Sequence, residues 1–285
     1  MILTKDKKIL IVGLGLMGGS YAMALKKKGY FVSAITKEQG DIEFALKNKM
    51  IDEGCAGVDS RLIKEADVII FALYPTVLTE WLYDYGHLIK AGTVLTDVTG
   101  VKGFIVDKIQ SILPDGVEFI AAHPMAGRET SGVENSTDAI FKEANYIVVP
   151  TDKNTPDAIR LCKELGGQLG FRRITQLSVT EHDRMIAFLS QLTHCIAVSL
   201  MCSSDNPKIN EYTGDSFRDL TRIAKINENM WSELFMMNRE ALLSEIDAFM
   251  EQMTNMRRML TRGDTEGMKQ MMICSTKRRK AFDRK

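Results

Sequence analysis

The sequence has no excess of charge of either sign, because 37 lysines and arginines are matched by 37 aspartates and glutamates. Such a balance produces no long-range field that would attract nucleic acid or an anionic membrane. Cysteine is scarce, with five residues and no Cys-x-x-Cys pair. Scattered cysteines of this kind indicate packed thiols in a reducing compartment, so we expect a cytoplasmic protein without a metal site.

Long hydrophobic runs are also missing near the N-terminus, where the apolar run that begins at Ile9 is interrupted by glycines from Gly13 onward. From this pattern we expect no signal peptide and no apolar stretch that reaches the roughly 20 residues of a membrane-spanning helix. The 285 residues, 45% of them hydrophobic, are enough for about two domains.

A glycine-rich segment follows the first predicted strand, residues 8–12, and precedes a predicted helix and a second strand at 31–35. In such a βαβ unit two glycines let the backbone approach a pyrophosphate, and a third lets helix and strand pack closely. A glycine-rich turn without a ligand is the alternative. The pattern predicts a dinucleotide site that includes Gly13, Leu14, Gly15, Leu16, Met17 and Gly18.

The end of the second strand indicates which dinucleotide binds. NAD sites usually place a carboxylate there, about 20 residues beyond the glycines, to hold the ribose. This chain has Thr36 and Lys37 instead, with Ser33 nearby. Hydroxyls and a cation suit a 2′-phosphate, which favours NADP over NAD, and a solvated lysine is the alternative. Leu73, the last residue of the strand predicted at 68–73, and Tyr74, which follows it, are assigned to the same site.

Strands and helices alternate through the first half and give way to helices in the second. Alternation predicts a doubly wound, mostly parallel sheet, so we assign residues 1–168 to an α/β, Rossmann-like, dinucleotide-binding domain. Residues 169–285 are assigned to an all-α domain that binds substrate and forms a homodimer. Its predicted helices cover residues 179–201, 215–225, 230–260 and 265–282.

Polar residues interrupt both halves. The segment from His123 to Glu129 follows an apolar strand predicted at 117–122, and its proline and glycine predict a structured turn at the ligand-binding edge of the sheet. Ser190 and His194 share one helix face, and Arg222 and Trp231 follow. Each has a structural alternative as a solvated or core residue, but together they suit a small carboxylated substrate whose hydride leaves for NAD(P).

With these residues assembled, the chain resembles the prephenate/arogenate dehydrogenase family of tyrosine biosynthesis. The resemblance implies oxidative decarboxylation of prephenate to 4-hydroxyphenylpyruvate, or of arogenate to tyrosine, with hydride transfer to NAD(P)+. Loss of carbon dioxide restores the aromatic ring and makes the reaction effectively irreversible. The matching segments are residues 13–20, 97–102, 123–129, 181–183, 190–194 and 217–224, together with Trp231.

The resemblance also implies roles for individual residues. His123 matches the catalytic histidine that accepts a hydrogen bond from the ring hydroxyl of the substrate. Arg222 matches the arginine that binds the ring carboxylate, and Asp183 is expected to pair with it. Ser190 and His194 match the helix on the substrate side.

The remaining matches lie around the cleft. Glu129 matches a carboxylate at its mouth, and Trp231 falls on the substrate side. Many members carry a serine where this chain has Gly100, and the neighbouring Thr99 is the hydroxyl that would replace it. Arg128 is an additional cation, for which we predict contact with the side-chain carboxylate of the substrate.

Two other functions are compatible with the pattern. A β-hydroxyacid dehydrogenase or imine reductase also joins a Rossmann half to a helical half, and a non-catalytic dinucleotide-sensing protein would bind the cofactor without prephenate-dependent reduction. We expect no chorismate mutase segment before the glycine motif and no regulatory domain after the last helix. A panel of substrates separates these alternatives.

Overall fold

Six parallel strands form one sheet in the computed structural model, which describes residues 3–128 and 130–282. The strands are β1 (Lys8–Val12), β2 (Phe31–Thr36), β3 (Glu53–Ala56), β4 (Val68–Phe71), β5 (Val94–Asp97) and β6 (Glu118–Phe119). They lie in the order β3-β2-β1-β4-β5-β6, with β1 in register between β2 and β4. The predicted doubly wound parallel sheet is therefore confirmed.

Helices cover both faces of this sheet and bury its central strands. Two separate apolar clusters, one containing Ile9 and Ile11 and the other Leu10 and Val12, show that alternate residues of β1 face opposite layers. The helices of this part are α1 (Leu16–Lys27), α2 (Gln39–Lys47), α3 (Ser60–Glu65), α4 (Pro75–Tyr85), α5 (Val106–Ile112) and α6 (Pro156–Leu169).

A second sheet of three strands carries the segment around His123. Its strands are β7 (Ala121–Met125), β8 (Asn145–Val149) and β9 (Arg173–Gln176), and β7 runs antiparallel to β8. The prediction of one parallel strand followed by a turn at His123 was wrong, because the parallel sheet ends at Phe119 and His123 lies inside β7. Pro124 is tolerated there since β7 is an edge strand, where a residue without an N–H interrupts no ladder.

The predicted helix at 179–201 is present as a continuous helical run from 179 to 202. It comprises α7 (Val179–Ile186), a π-helical turn (Ala187–Gln191) and α8 (Leu192–Cys202). By length and composition this run could cross a membrane, so the expectation that no apolar stretch is long enough was wrong. A core or interface helix of a soluble protein meets the same criterion, and several of its apolar side chains are exposed in the single chain, such as Phe188 and Leu189.

Five further helices complete the described chain: α9 (Ile209–Tyr212), α10 (Asp215–Thr221), α11 (Glu228–Met237), α12 (Arg239–Arg262) and α13 (Thr265–Arg279). The helix predicted over 230–260 is interrupted at Asn238, whose buried side chain donates to the carbonyl oxygen of Asp183 and to Oε1 of Gln191. The chain divides into two compact units after Asn238, and α12 and α13 form the second.

Candidate functional site

The glycine-rich turn between β1 and α1 has the geometry of a dinucleotide cradle. Gly13 has φ +99°, and a Cβ on Gly18 would overlap the carbonyl oxygen of Gly13, so helix and turn approach as only glycine allows. A Cβ on Gly15 would meet no atom of the described residues within 4 Å. Because the N-cap residue of α1 is Gly15, which has no side chain to form a cap, the amides of this helix N-terminus and the open space at Gly15 fit a pyrophosphate.

The other residues predicted for the cofactor lie along the same sheet edge. Thr36 is half-buried at the end of β2 and Lys37 is exposed beyond it. Leu73 packs beside Gly13, and Tyr74 is half-exposed at the start of α4. Leu14 is buried in the core, while Leu16 and Met17 are partly buried at the start of α1.

Ser33 does not belong to this group. Its side chain is buried, and its hydroxyl donates to the carbonyl oxygen of Ile9 at 3.3 Å. The expectation that Ser33 adds a hydroxyl to the ribose site was wrong. Successive side chains of β2 point to opposite faces of the sheet, and that of Ser33 is buried against one of them.

A fully buried ion pair lies beneath the candidate catalytic histidine. Lys102 Nζ donates to Asp97 Oδ2 and to the carbonyl oxygen of Ala122, both at 2.6 Å, and to Thr99 Oγ1 at 3.1 Å. Neither charged side chain has any exposed surface. Burial lowers the pKa of Lys102, while the carboxylate of Asp97 opposes that shift. All three ammonium protons have partners, so the pair ties the end of β5 to the residue before His123.

Thr99 takes part in this buried network. Its hydroxyl donates to Asp97 Oδ2, and the backbone N–H of Thr99 donates to the same oxygen at 2.9 Å. The side chain is buried, so these contacts do not support the hypothesis that Thr99 replaces the family's serine. Gly100 leaves room for that serine, because among the described residues a Cβ there would meet only the two methyl groups of Leu234, at 3.6 and 3.7 Å.

His123 is linked to a second histidine that sequence reasoning did not assign to the site. Its Nδ1 lies 2.9 Å from Nε2 of His182, whose Nδ1 lies 2.7 Å from Oδ1 of Asp183. His182 is fully buried and His123 is partly exposed. Burial holds the pKa of His123 well below its usual 6.5, and the neighbouring His182 and Lys102 act in the same direction. The imidazole of His123 is therefore neutral at neutral pH.

Local sequence signals orient the first turns of α7. Ser178 and Glu181 form a reciprocal capping box, which sets where the helix begins and turns His182 and Asp183 toward the sheet. Asp183 accepts hydrogen bonds from the backbone N–H groups of Lys102, at 2.9 Å, and Gly103, at 2.7 Å.

These contacts correct the expected pairing of Asp183 with Arg222. The carboxylate of Asp183 is engaged by two backbone amides and His182, and Arg222 is not among its partners in the described parts of the chain. A Cβ on Gly103 would lie 2.9 Å from Asp183 Oδ2, so glycine permits this close approach.

The predicted residues of the helical part form a neighbouring group. The rings of His194 and Trp231 stack with centroids 3.7 Å apart, and His194 Nδ1 donates to the carbonyl oxygen of Ser190 at 2.8 Å. Trp231 lies on α11 one turn before Leu234, the residue that faces Gly100. Trp231 therefore lies on the helix that faces Gly100, and its stacking partner His194 lies on α8.

The remaining predicted residues lie at the margin. Arg128 is exposed after β7, and Glu129 lies outside the described residues. Arg222 is exposed in a 3₁₀ turn (Arg222–Ala224) that packs against α8.

Sequence reasoning missed the roles of Asp97, Lys102 and His182, although all three lie in segments that carry the resemblance. An acidic residue at the end of an apolar strand and a histidine beside an aspartate were the available signals. Their contacts join residues that are up to 81 positions apart, from Lys102 to Asp183, which no local pattern specifies.

Comparisons with known proteins agree with this geometry. Residues 21–174 match the family model described as prephenate dehydrogenase, nucleotide-binding domain, and residues 178–273 match the one described as prephenate dehydrogenase, dimerization domain. The chain is 31% identical over 270 residues to prephenate dehydrogenase of Bacillus subtilis, covering 91% of this chain and 72% of that protein. It is 28% identical to cyclohexadienyl dehydrogenase of Zymomonas mobilis, covering 90% and 89%.

Solved structures give the same result. Prephenate dehydrogenase from Aquifex aeolicus, in complex with hydroxyphenyl propionate and NAD+, has 26% identity and a TM-score of 0.87, covering 98% of this chain and 99% of that one. The fold of Synechocystis arogenate dehydrogenase is also similar, with a TM-score of 0.83 at 22% identity over 97% of this chain and all of that one. This chain therefore belongs to the prephenate dehydrogenase family of NAD(P)-dependent dehydrogenases.

Proposed function

We propose that this enzyme converts prephenate to 4-hydroxyphenylpyruvate by oxidative decarboxylation, with NAD(P)+ as the hydride acceptor. The observation that carries the proposal is the position of His123, a neutral and partly exposed imidazole beside the buried Lys102–Asp97 pair. His123 lies on β7, next to Ala122, whose carbonyl oxygen accepts a hydrogen bond from Lys102. The curated relatives named prephenate dehydrogenase support the same substrate.

His123 performs the acid–base part of this reaction. Its neutral imidazole accepts a hydrogen bond from the ring hydroxyl and takes that proton as the hydride leaves the hydroxyl-bearing carbon. Breaking the bond to the ring carboxylate releases carbon dioxide, and its electron pair completes the aromatic ring. The proton then returns from His123 to the oxygen, which leaves a phenol and regenerates the neutral imidazole.

The dinucleotide, when bound, supplies the nicotinamide that accepts the hydride. The cradle from Gly13 to Gly18 would hold its pyrophosphate against the N-terminus of α1. Thr36 and Lys37 would face the adenosine ribose, and the missing carboxylate there favours NADP. The A. aeolicus structure contains NAD+, so both cofactors belong in the assay.

Cations and hydroxyls around the cleft would bind the two carboxylates of the substrate. Arg222 is proposed for the ring carboxylate, because a guanidinium fork matches a carboxylate bidentately. Arg128 is proposed for the side-chain carboxylate. Ser190 and His194, with the His194–Trp231 stack, would enclose the ring.

We also propose a cytoplasmic homodimer. The second family model is named a dimerization domain, and the helical run from 179 to 202 exposes apolar side chains that a second copy would cover. Five free cysteines fit a reducing compartment. The functional boundary between residues 168 and 169 remains our proposal for the division between cofactor and substrate domains.

The decisive experiment is a two-by-two assay of prephenate or arogenate with NAD+ or NADP+, following the absorbance of the reduced cofactor. We expect prephenate-dependent reduction. Activity with arogenate alone would replace prephenate by the amino acid that the Synechocystis relative is named for. No reduction in any of the four combinations, with dinucleotide binding intact, would refute the proposed reaction.

A further inference from the structure

A chain of three side chains leads from the buried end of α7 to the candidate catalytic imidazole. Asp183 Oδ1 lies 2.7 Å from His182 Nδ1, and His182 Nε2 lies 2.9 Å from His123 Nδ1. His182 has no exposed surface. In the described parts of the chain, His182 is the side chain within hydrogen-bond distance of His123, since Gly100 has no hydroxyl and that of Thr99 is engaged by Asp97.

The hydrogen-bond network assigns the protons on the three linked side chains. Asp183 already accepts from two backbone amides, so an ionised carboxylate faces His182 Nδ1, which must carry the proton. A neutral His182 then has a lone pair on Nε2, and His123 must donate to it from Nδ1. The remaining lone pair of His123 is on Nε2, the nitrogen that no described residue engages.

The opposite arrangement is unfavourable at both contacts. A proton on Nε2 of His123 would set its bare Nδ1 against the lone pair of His182. Moving the proton of His182 to Nε2 would set a bare nitrogen 2.7 Å from the carboxylate of Asp183. Neither repulsion is relieved by water at a buried site. Charging either ring is opposed by burial and by the Lys102 ammonium, which lower the pKa of both histidines although Asp183 and Asp97 oppose this at His182.

We propose that His182, anchored by Asp183, is a positioning residue that holds His123 as the Nδ1–H tautomer and so directs the Nε2 lone pair at the ring hydroxyl of the substrate. The inference rests on the proposed role of His123 as acceptor. In this proposal His182 orients the imidazole of His123. This chain has Gly100, and so no serine, at the position where many family members carry one near that histidine. A histidine ordered by a hydrogen-bonded neighbour is a recurring arrangement in acid–base catalysis.

Two nearly isosteric variants separate this role from a merely structural one. In His182→Gln the amide oxygen occupies the place of Nε2, so it accepts from His123 but no longer donates to Asp183. In His182→Asn the amide nitrogen occupies the place of Nδ1, so it donates to Asp183 but no longer reaches His123. If His182 only anchors α7, the Asn variant is the better enzyme.

The proposal predicts the reverse order. With saturating prephenate and dinucleotide, kcat of His182→Gln should stay within about fivefold of wild type, and kcat of His182→Asn should fall on the order of 10- to 100-fold. KM for prephenate and the dinucleotide Kd should change less than about threefold in both, since His182 touches neither ligand. An Asn variant as active as the Gln variant would overturn the proposal.

Nuclear magnetic resonance of ¹⁵N-labelled imidazoles tests the tautomer without turnover. The chain has four histidines, and a His123→Asn variant identifies the signals of His123 by their loss. Wild type should show His123 protonated at Nδ1, and His182→Asn should lose that preference. Protonation of wild-type His123 at Nε2 would overturn the inference even if the enzyme is active. Absence of turnover in wild type with every substrate would refute the proposed function and leave the tautomer measurable.

Discussion

Replacing Lys102 by methionine removes the buried cation while keeping most of the side-chain volume. The change leaves the carboxylate of Asp97 without its counter-ion in a site with no exposed surface. Asp97 keeps hydrogen bonds from the backbone N–H groups of Thr99, at 2.9 Å, and Ala122, at 3.0 Å. The carbonyl oxygen of Ala122 loses its contact with the ammonium.

The expected loss of stability follows from these contacts. Breaking a buried ion pair by removing one partner costs about 3–5 kcal/mol, because an uncompensated charge remains. The two amides and the Thr99 hydroxyl that still donate to Asp97 place the expected cost near the lower end, at about 3 kcal/mol. For a chain of this size that corresponds to a fall in Tm of about 6–12 °C.

Thermal and urea unfolding, followed by circular dichroism, measure the effect of Lys102→Met. Lys27→Met is a matched control, since the Lys27–Asp138 pair has the same 2.6 Å separation but lies at the surface. That control should change stability by no more than about 1 kcal/mol. Adding Asp97→Asn to Lys102→Met should recover part of the loss, because no isolated charge remains. Equal effects of the two lysine variants would show that burial does not set the strength of the pair.

Three further predictions concern the site. Gly15→Ala should weaken dinucleotide binding at least about tenfold at unchanged Tm, because the added Cβ enters the open cradle. Gly18→Ala should lower Tm, because its Cβ overlaps the carbonyl oxygen of Gly13. Turnover should persist below pH 6.5 and fall only as the pH drops through the lowered pKa of His123, since the neutral form is active. Gly100→Ser should change stability by less than about 0.5 kcal/mol, because among the described residues its Cβ meets only Leu234, and it should keep kcat at or above wild type.

Fluorescence titration with the reduced dinucleotide and thermal unfolding test the glycine variants, and equal affinities of wild type and Gly15→Ala would contradict the cradle. The pH dependence of kcat/KM tests the protonation of His123. An acid limb centred above pH 6.5 would contradict an imidazole whose pKa is lowered by burial. A tenfold loss of kcat in Gly100→Ser without loss of stability would mean that position 100 has no room for a hydroxyl beside the substrate.

The dinucleotide cradle and the type of sheet are predictable from the sequence alone. The three glycines act within one turn, where chain geometry permits a close approach only without a Cβ, and alternating apolar segments specify parallel strands with helices between them. The capping residues Ser178 and Glu181 likewise act within a single helical turn. Each of these signals acts between residues that are close in the sequence, so the sequence pattern is enough to predict it.

The surroundings of His123, in contrast, depend on tertiary packing. His123 lies on a strand outside the parallel sheet, and its imidazole contacts His182, which is 59 positions away. Asp183 accepts hydrogen bonds from the backbone after β5 and does not pair with Arg222 in the described parts of the chain. Asp97 and Lys102 are only five positions apart, but their pairing is buried by tertiary packing. The backbone of Ala122 on β7 contacts both side chains. A side chain's partner and its protonation depend on burial and on which distant element packs against it, and both are properties of the packed chain.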